Sequence, residues 1–101
     1  MKLYRAVCDA EFSQVLRTRR LETIPQSLEG KWFAETIENA RAWGHWFSGI
    51  SGMNHARIVV VDIPDAMAAR LFRLDRLDDI GPARFVSLDE LDLITIDEIT
   101  I

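Results

Sequence analysis

The sequence predicts an α+β domain whose sheet is largely antiparallel or mixed, with two main helices early in the chain. Most of the helical content comes early, where Phe12, Val15 and Leu16 and then Ile37, Ala40, Trp43 and Phe47 recur at spacings of three and four. Strand-like segments outnumber the helices that parallel crossovers would need, which excludes a doubly wound sheet. At 101 residues and 49% hydrophobic, the chain is one domain, 1–101, able to bury roughly two-thirds of its unfolded surface.

Leu3-Tyr4-Arg5-Ala6-Val7 alternates as a first strand, with Arg5 on the face opposite Tyr4 and Ala6. Asp9 is placed to cap a helix whose apolar stripe ends near Arg19, and residues 21–29, with Pro25, read as a loop. Gly30 and Lys31 open a short aromatic strand, Trp32-Phe33-Ala34, and Thr36 stands where a helix N-cap belongs. Gly44 to Asn54, with its glycines and serines, reads as a mobile connection; Trp46 and Phe47 beside it fit either an exposed apolar patch or the closing of the core. Ala56 to Ile63 has the continuous β-branched character of a central strand buried on both faces, ended by Pro64. Ala66 to Leu74 fits helix and strand alike. Asp78 to Pro82 is a turn by its Gly-Pro pair, a strand begins at Phe85, and Ser87 with Glu90 has capping-box spacing. Leu93 to Ile101 alternates as a strand with a phase slip at Asp97-Glu98, the mark of a β-bulge or a change of face.

Composition narrows the partners. A net charge of −4 argues against a general nucleic-acid or membrane-surface binder, and the cluster Arg17, Arg19, Arg20 reads first as the solvated end of a helix. Cys8 stands alone, so no internal disulfide or cysteine metal site is available, and a reducing, cytoplasmic setting is the expectation. The first residues lack a secretory signal pattern, and no apolar run approaches the ~20 residues that span a bilayer. There is no P-loop, G-x-G-x-x-G or H-E-x-x-H, and His45 and His55 read as packing or surface residues before metal ligands. Acidic residues crowd the second half: Asp75, Asp78, Asp79, Asp89, Glu90, Asp92, Asp97 and Glu98. That reads as a solvated face, or else as a surface for a basic partner.

The residues with most chemical promise are Arg5, the Trp32-Phe33-Ala34 strand and Thr36. An arginine on a strand grips phosphate or ribose through its fork of donors. An aromatic ring stacks on a planar heterocycle, and a hydroxyl at a helix start bonds a ribose or the neighbouring strand. The order of these pieces resembles the ADP-ribosyltransferase-like superfamily, small split-sheet domains that clamp NAD. LYRAV resembles its first motif, with Arg5 at the NAD-contacting place. GKWFAET resembles its second, met by Phe33, Ala34 and Thr36, and the helix ENARAWG and DDIGPARFVSLDEL are similar to the segments that follow.

That resemblance implies an NAD or related nucleotide ligand, with Arg5 on phosphate or ribose, Phe33 on nicotinamide, and Trp32, Ala34 and Thr36 around them. It also implies a role in modifying host or defence proteins, as in small bacterial and phage toxins. The chain departs from the pattern at Arg84, which stands before Phe85 where a catalytic glutamate is expected. A guanidinium there opposes a ribosyl cation, so Asp79, Asp89 or Glu90 would have to supply the charge from another direction, or the domain binds without catalysing. The rival reading from a different class is a non-enzymatic inhibitor or interaction module that uses the acidic second half.

Overall fold

The computed structural model describes residues 1–19, 30–52, 55, 57–91, 94 and 96–100. Its elements run β1 (Lys2–Val7), α1 (Asp9–Thr18), β2 (Gly30–Ala34), α2 (Ile37–Ser51), β3 (Arg57–Asp62), α3 (Asp65–Ala68), β4 (Phe72–Leu77), β5 (Gly81–Ser87), α4 (Leu88–Leu91) and β6 (Ile96–Thr100). The strands form one six-stranded sheet in the order β4-β5-β2-β1-β3-β6. Every neighbouring pair is antiparallel, so the fold is α+β with an antiparallel sheet and its two long helices early in the chain, as the sequence predicts.

The strand order decides where the helices lie. β2 and β3 flank β1, so the connection between them must cross β1, and α2 does so, packed on all three strands. Strand alternation then sorts the side chains into two cores. One holds Leu3, Val7, Phe33, Val59, Val61 and Val86, closed by Val15 of α1 and by Met67, Leu71, Leu91 and Ile94. The other holds Ala6, Ala34, Ile58, Val60 and Ala83 under Ala40 and Trp43 of α2. The four consecutive residues Ile58 to Val61 feed both, which explains why β3 carries a continuous β-branched run.

Local details sharpen the sequence reading. Thr36 caps α2, its hydroxyl accepting from the Asn39 amide at 3.2 Å. Cys8, not Asp9, occupies the N-cap position of α1, and Asp9 and Glu11 fall in the first turn, where negative charge complements the helix dipole. The segment expected to be a mobile connection is helical as far as Ser51, with Gly52 closing α2 in a left-handed conformation. Gly44 is tolerated in mid-helix because a Cβ there would stand 2.3 Å from the His55 carbonyl oxygen, so only glycine allows that close approach. The ambiguous stretch Ala66 to Leu74 is both things in turn, the end of α3 and then β4. β5 begins at Gly81, four residues before Phe85, because the turn is confined to Asp78, Asp79 and Ile80. The phase slip at Asp97 is a bulge: Val60 faces Glu98 while Val61 faces Ile96, leaving Asp97 unopposed.

The loop expected over 21–29 lies outside the described residues, as do Arg20, Asn54, Asp92, Leu93 and Ile101. No helix among the described residues is long and apolar enough to cross a membrane.

The β4–β5 turn carries backbone strain. Asp78 and Asp79 have φ of 55° and 62°, and the Ile80 amide bonds back to the Leu77 carbonyl at 3.0 Å, so both central positions of the turn are left-handed. A left-handed conformation costs a non-glycine residue about 1 kcal/mol. Asp79→Gly is therefore expected to raise the melting temperature by roughly 4–8 °C, since ~1 kcal/mol moves a domain of this size by that much. Thermal unfolding followed by circular dichroism checks it, and an unchanged or lower melting temperature would mean that the turn is not strained.

Candidate functional site

Among the described residues, every neighbouring pair of strands is matched at several positions except β1 and β2. β1 runs alongside β3 in register from Lys2–Asp62 to Val7–Arg57, and β2 alongside β5 from Gly30–Ser87 to Ala34–Ala83. β1 and β2 themselves meet at one pair, Tyr4 with Ala34, and part beyond it. Backbone groups left unpaired by such a gap need other partners. The Trp32 carbonyl finds one in the Arg5 guanidinium, whose Nη1 donates to it at 3.0 Å across the gap.

A cleft of about 450 Å³ occupies this split, within the ~300–1,000 Å³ typical of ligand sites. Arg5, Lys31 and Glu11 give it a charged wall on the α1 side. Trp32, Trp43, Phe47 and His55 give it an aromatic wall on the α2 side, and Leu77 and Asp78, from the β4–β5 turn, stand at its rim. Gly30, also on the cleft, has to be glycine for the sake of β5: a Cβ there would lie 2.2 Å from the Val86 carbonyl oxygen and 2.7 Å from the Phe85 ring.

The charged wall is organised around Glu11. Arg5 grips it with two bonds, Nε to Oε2 at 2.9 Å and Nη2 to Oε1 at 3.3 Å, and Lys31 Nζ lies 3.3 Å from Oε2. Burial pushes the Glu11 carboxyl up, but the charges and hydrogen bonds of Arg5 and Lys31 outweigh it and hold the group below its ordinary value. Lys31 is also pushed down, first by burial and next by the nearby Arg5 charge, with Glu11 pulling the other way. The two partners thus differ in how well the pairing serves them. Glu11 has two cations, while Lys31 has half of a carboxylate already gripped by Arg5. One carboxylate against two cations leaves the wall with surplus positive charge.

The aromatic wall has an opposite deficiency. Trp43 is 5% exposed, and its indole Nε1 is buried without a hydrogen-bond partner among the described residues. Trp32 is braced from behind by Phe85 at 5.1 Å and Phe72 at 6.0 Å between ring centroids. Phe47 packs against His55 at 5.6 Å, and the His55 amide donates to Ser48 Oγ at 2.9 Å, which fixes the chain beyond α2 against the cleft.

The residues singled out from the sequence are thus divided. Arg5 and Trp32 line the cleft. Phe33 and Ala34 are fully buried, Phe33 in the core under α1, so neither ring face of Phe33 is open to a ligand. Thr36 acts as a helix cap. Asp79 lies in the β4–β5 turn near Arg76, and Glu90 accepts from the amide and hydroxyl of Ser87, so both stand outside the cleft. Arg84 is not free either: its Nε donates to Glu35 at 2.8 Å, and Arg73 reaches the same carboxylate at 2.7 Å. Arg73 first and Arg84 after it hold the Glu35 carboxyl below its ordinary value against burial. The acidic second half is interleaved with arginines, Arg73 pairing with Asp75 and Arg76 with Asp79. Among the described residues, no three His, Cys, Asp or Glu side chains gather to hold a metal.

Glu11 and Glu35 escaped the sequence reading because their partners lie far away in the chain. Lys31 left a trace: a lysine beside Trp32 in a strand otherwise built for burial is a charge that needs an answer. Comparison with protein families, with curated proteins and with solved structures returns no match.

A glutamate with a depressed folded pKa stabilises the fold above its unfolded value, about 4.3, and loses that contribution as pH falls through the lower folded value. Urea midpoints should therefore decline as pH is lowered below about 4.3. Glu11→Gln should cost about 2–3 kcal/mol at neutral pH by leaving Arg5 and Lys31 without their carboxylate, and should flatten the acid limb. A midpoint insensitive to this change at pH 7 would contradict the pairing.

Proposed function

We propose that this chain is an ADP-ribosyltransferase-like domain that binds NAD or a related nucleotide in the split between β1 and β2. The reading rests on one observation, that the sheet parts where LYRAV and GKWFAET run side by side and opens a cleft with a cationic wall facing an aromatic one. A dinucleotide combines those requirements, negatively charged phosphates and planar bases. Lys31 is the phosphate contact, because it is the cation whose own pairing is incomplete. Arg5 contributes positive charge and holds the two strands and α1 in place. Trp32, not Phe33, offers the stacking surface.

The reading is of binding without ribosyl transfer. Among the described residues, the carboxylates that line the cleft are Glu11, gripped by Arg5, and Asp78 at the rim. Neither stands ready to stabilise a ribosyl cation in the way that chemistry requires. A protein target of modification therefore forms no part of the proposal.

NAD titrated against the protein should raise its melting temperature, since a ligand that binds only the folded state stabilises it. Lys31→Met should keep the unliganded melting temperature while weakening NAD by at least about tenfold, the effect of losing one charged hydrogen bond. Incubation with NAD should release no nicotinamide. A melting temperature unmoved by millimolar NAD would rule the proposal out, and nicotinamide release would replace binding with catalysis.

A further inference from the structure

β4 is an edge strand, and nothing among the described residues pairs with its outer side. Its row of backbone groups is therefore free to take another strand. The strand is also unusually apolar for an edge, with Phe72 61% and Leu74 37% exposed. Register places both on the α2 side of the sheet, because Trp32, Phe85 and Phe72 face one another across three strands, as do Ala34, Ala83 and Leu74. Ala34 and Ala83 belong to the core beneath α2, but α2 packs on β1, β2 and β3, and the row continues past it to β4. The inner side of β4 is loosened as well. Its register against β5 shifts between Leu74 and Leu77, so Asp75 and Arg76 have no facing residue there.

The charges on this edge are arranged to meet their own copy. When two identical strands pair antiparallel, facing residues share a face of the sheet, so the twofold axis passes through one residue. A centre on Arg73 or on Asp75 sets like charges directly opposite, which is destabilising. A centre on Leu74 does the reverse. Arg73 then faces the partner's Asp75, Asp75 faces the partner's Arg73, and the two Leu74 side chains meet across the axis. Arg73 already pairs with Asp75 within the chain, so the two side chains project from the same face, opposite to Leu74. Pairing across the axis closes them into a square of alternating charge. On the other face Phe72 comes opposite the partner's Arg76, a cation over an aromatic ring. Asp75, 89% exposed, is open to that approach.

We propose that a second copy of this chain docks on the β4 edge, pairing β4 with β4 antiparallel about Leu74 and joining the two sheets into one. The proposal is independent of the nucleotide reading, since the edge and the cleft share none of these residues. A contact made by one short strand from each copy is small, so the dimer is expected to come apart on dilution.

Sedimentation velocity from micromolar to millimolar protein should show a monomer passing into a dimer. Asp75→Arg sets arginine opposite Arg73 at two places and should weaken that dimer by at least about tenfold. Arg73→Asp should do the same with acids, and an equimolar mixture of the two variants should dimerise again, because each then offers the charge that the other lacks. Arg73 also bonds Glu35, so that variant is the one at risk of misfolding. The register is therefore read in the wild type too: a mixture of carbon-13-labelled and unlabelled protein should give a contact between the Leu74 methyl groups of the two copies. A wild type that stays monomeric at millimolar concentration overturns the proposal. So does a dimer that Asp75→Arg leaves as tight, or one without the Leu74 contact, since either would form through another surface.

Discussion

The Arg5–Glu11 pair is the contact on which the cleft depends. A gap between two strands in one sheet is unstable by default, since each unpaired carbonyl and amide seeks the other strand and the gap tends to zip shut. Arg5 prevents this by standing in for the missing ladder: from β1 it reaches the Trp32 carbonyl of β2 while gripping Glu11 of α1. One guanidinium with donors in a fixed plane serves three elements, which a lysine's point charge would not. The same bonds explain why Arg5 is a poor candidate for a ligand contact alone. Most of its bonding is directed into the protein, and the fold would feel its loss.

The remaining geometry follows from holding that gap open. With β1 and β2 parted, α2 has to cross the split to reach β3, so its apolar stripe faces a cavity along part of its length. Trp43 and Phe47 thus serve as core residues toward β1 and as cleft wall toward the gap. The close contact at Gly44, where the His55 carbonyl approaches the helix axis, brings the chain beyond α2 back over the same opening. The far end of β2 has its own anchor, Glu35 between Arg73 and Arg84. β2 is therefore tied by a carboxylate–arginine cluster at each end, and between them its backbone is bonded mainly to β5.

Much of this was legible in the sequence where the signal is local. Alternation placed β1, the β-branched run placed β3, periodicity placed the stripe of α2, and Thr36 marked its start. The bulge at Asp97 was legible because a slip in alternation is itself the feature. What local pattern could not show is partnership across the chain. Glu11 is an ordinary first-turn acid until Arg5 and Lys31 meet over it. Arg84 looked like a displaced catalytic position, and its meaning changes once Glu35 is beside it. Phe33 and Trp32 differ by one residue and hence by one face of the strand, so the residue that packs the core and the residue that lines the cleft are separated only by knowing which side the split favours.

The two walls show why a core and a site coexist in so small a domain. A purely structural cavity of this size would cost stability through lost contacts, and burying Lys31 and the Trp43 indole beside it would cost more. Those costs are distributed in a particular way: the surplus charge is on the wall of Arg5, Lys31 and Glu11, and the planar rings, Trp43 among them, form the other. A cationic wall opposite an aromatic one is the arrangement that the nucleotide proposal draws on, and Lys31, which shares its carboxylate with Arg5, is the group in it that folding serves least well.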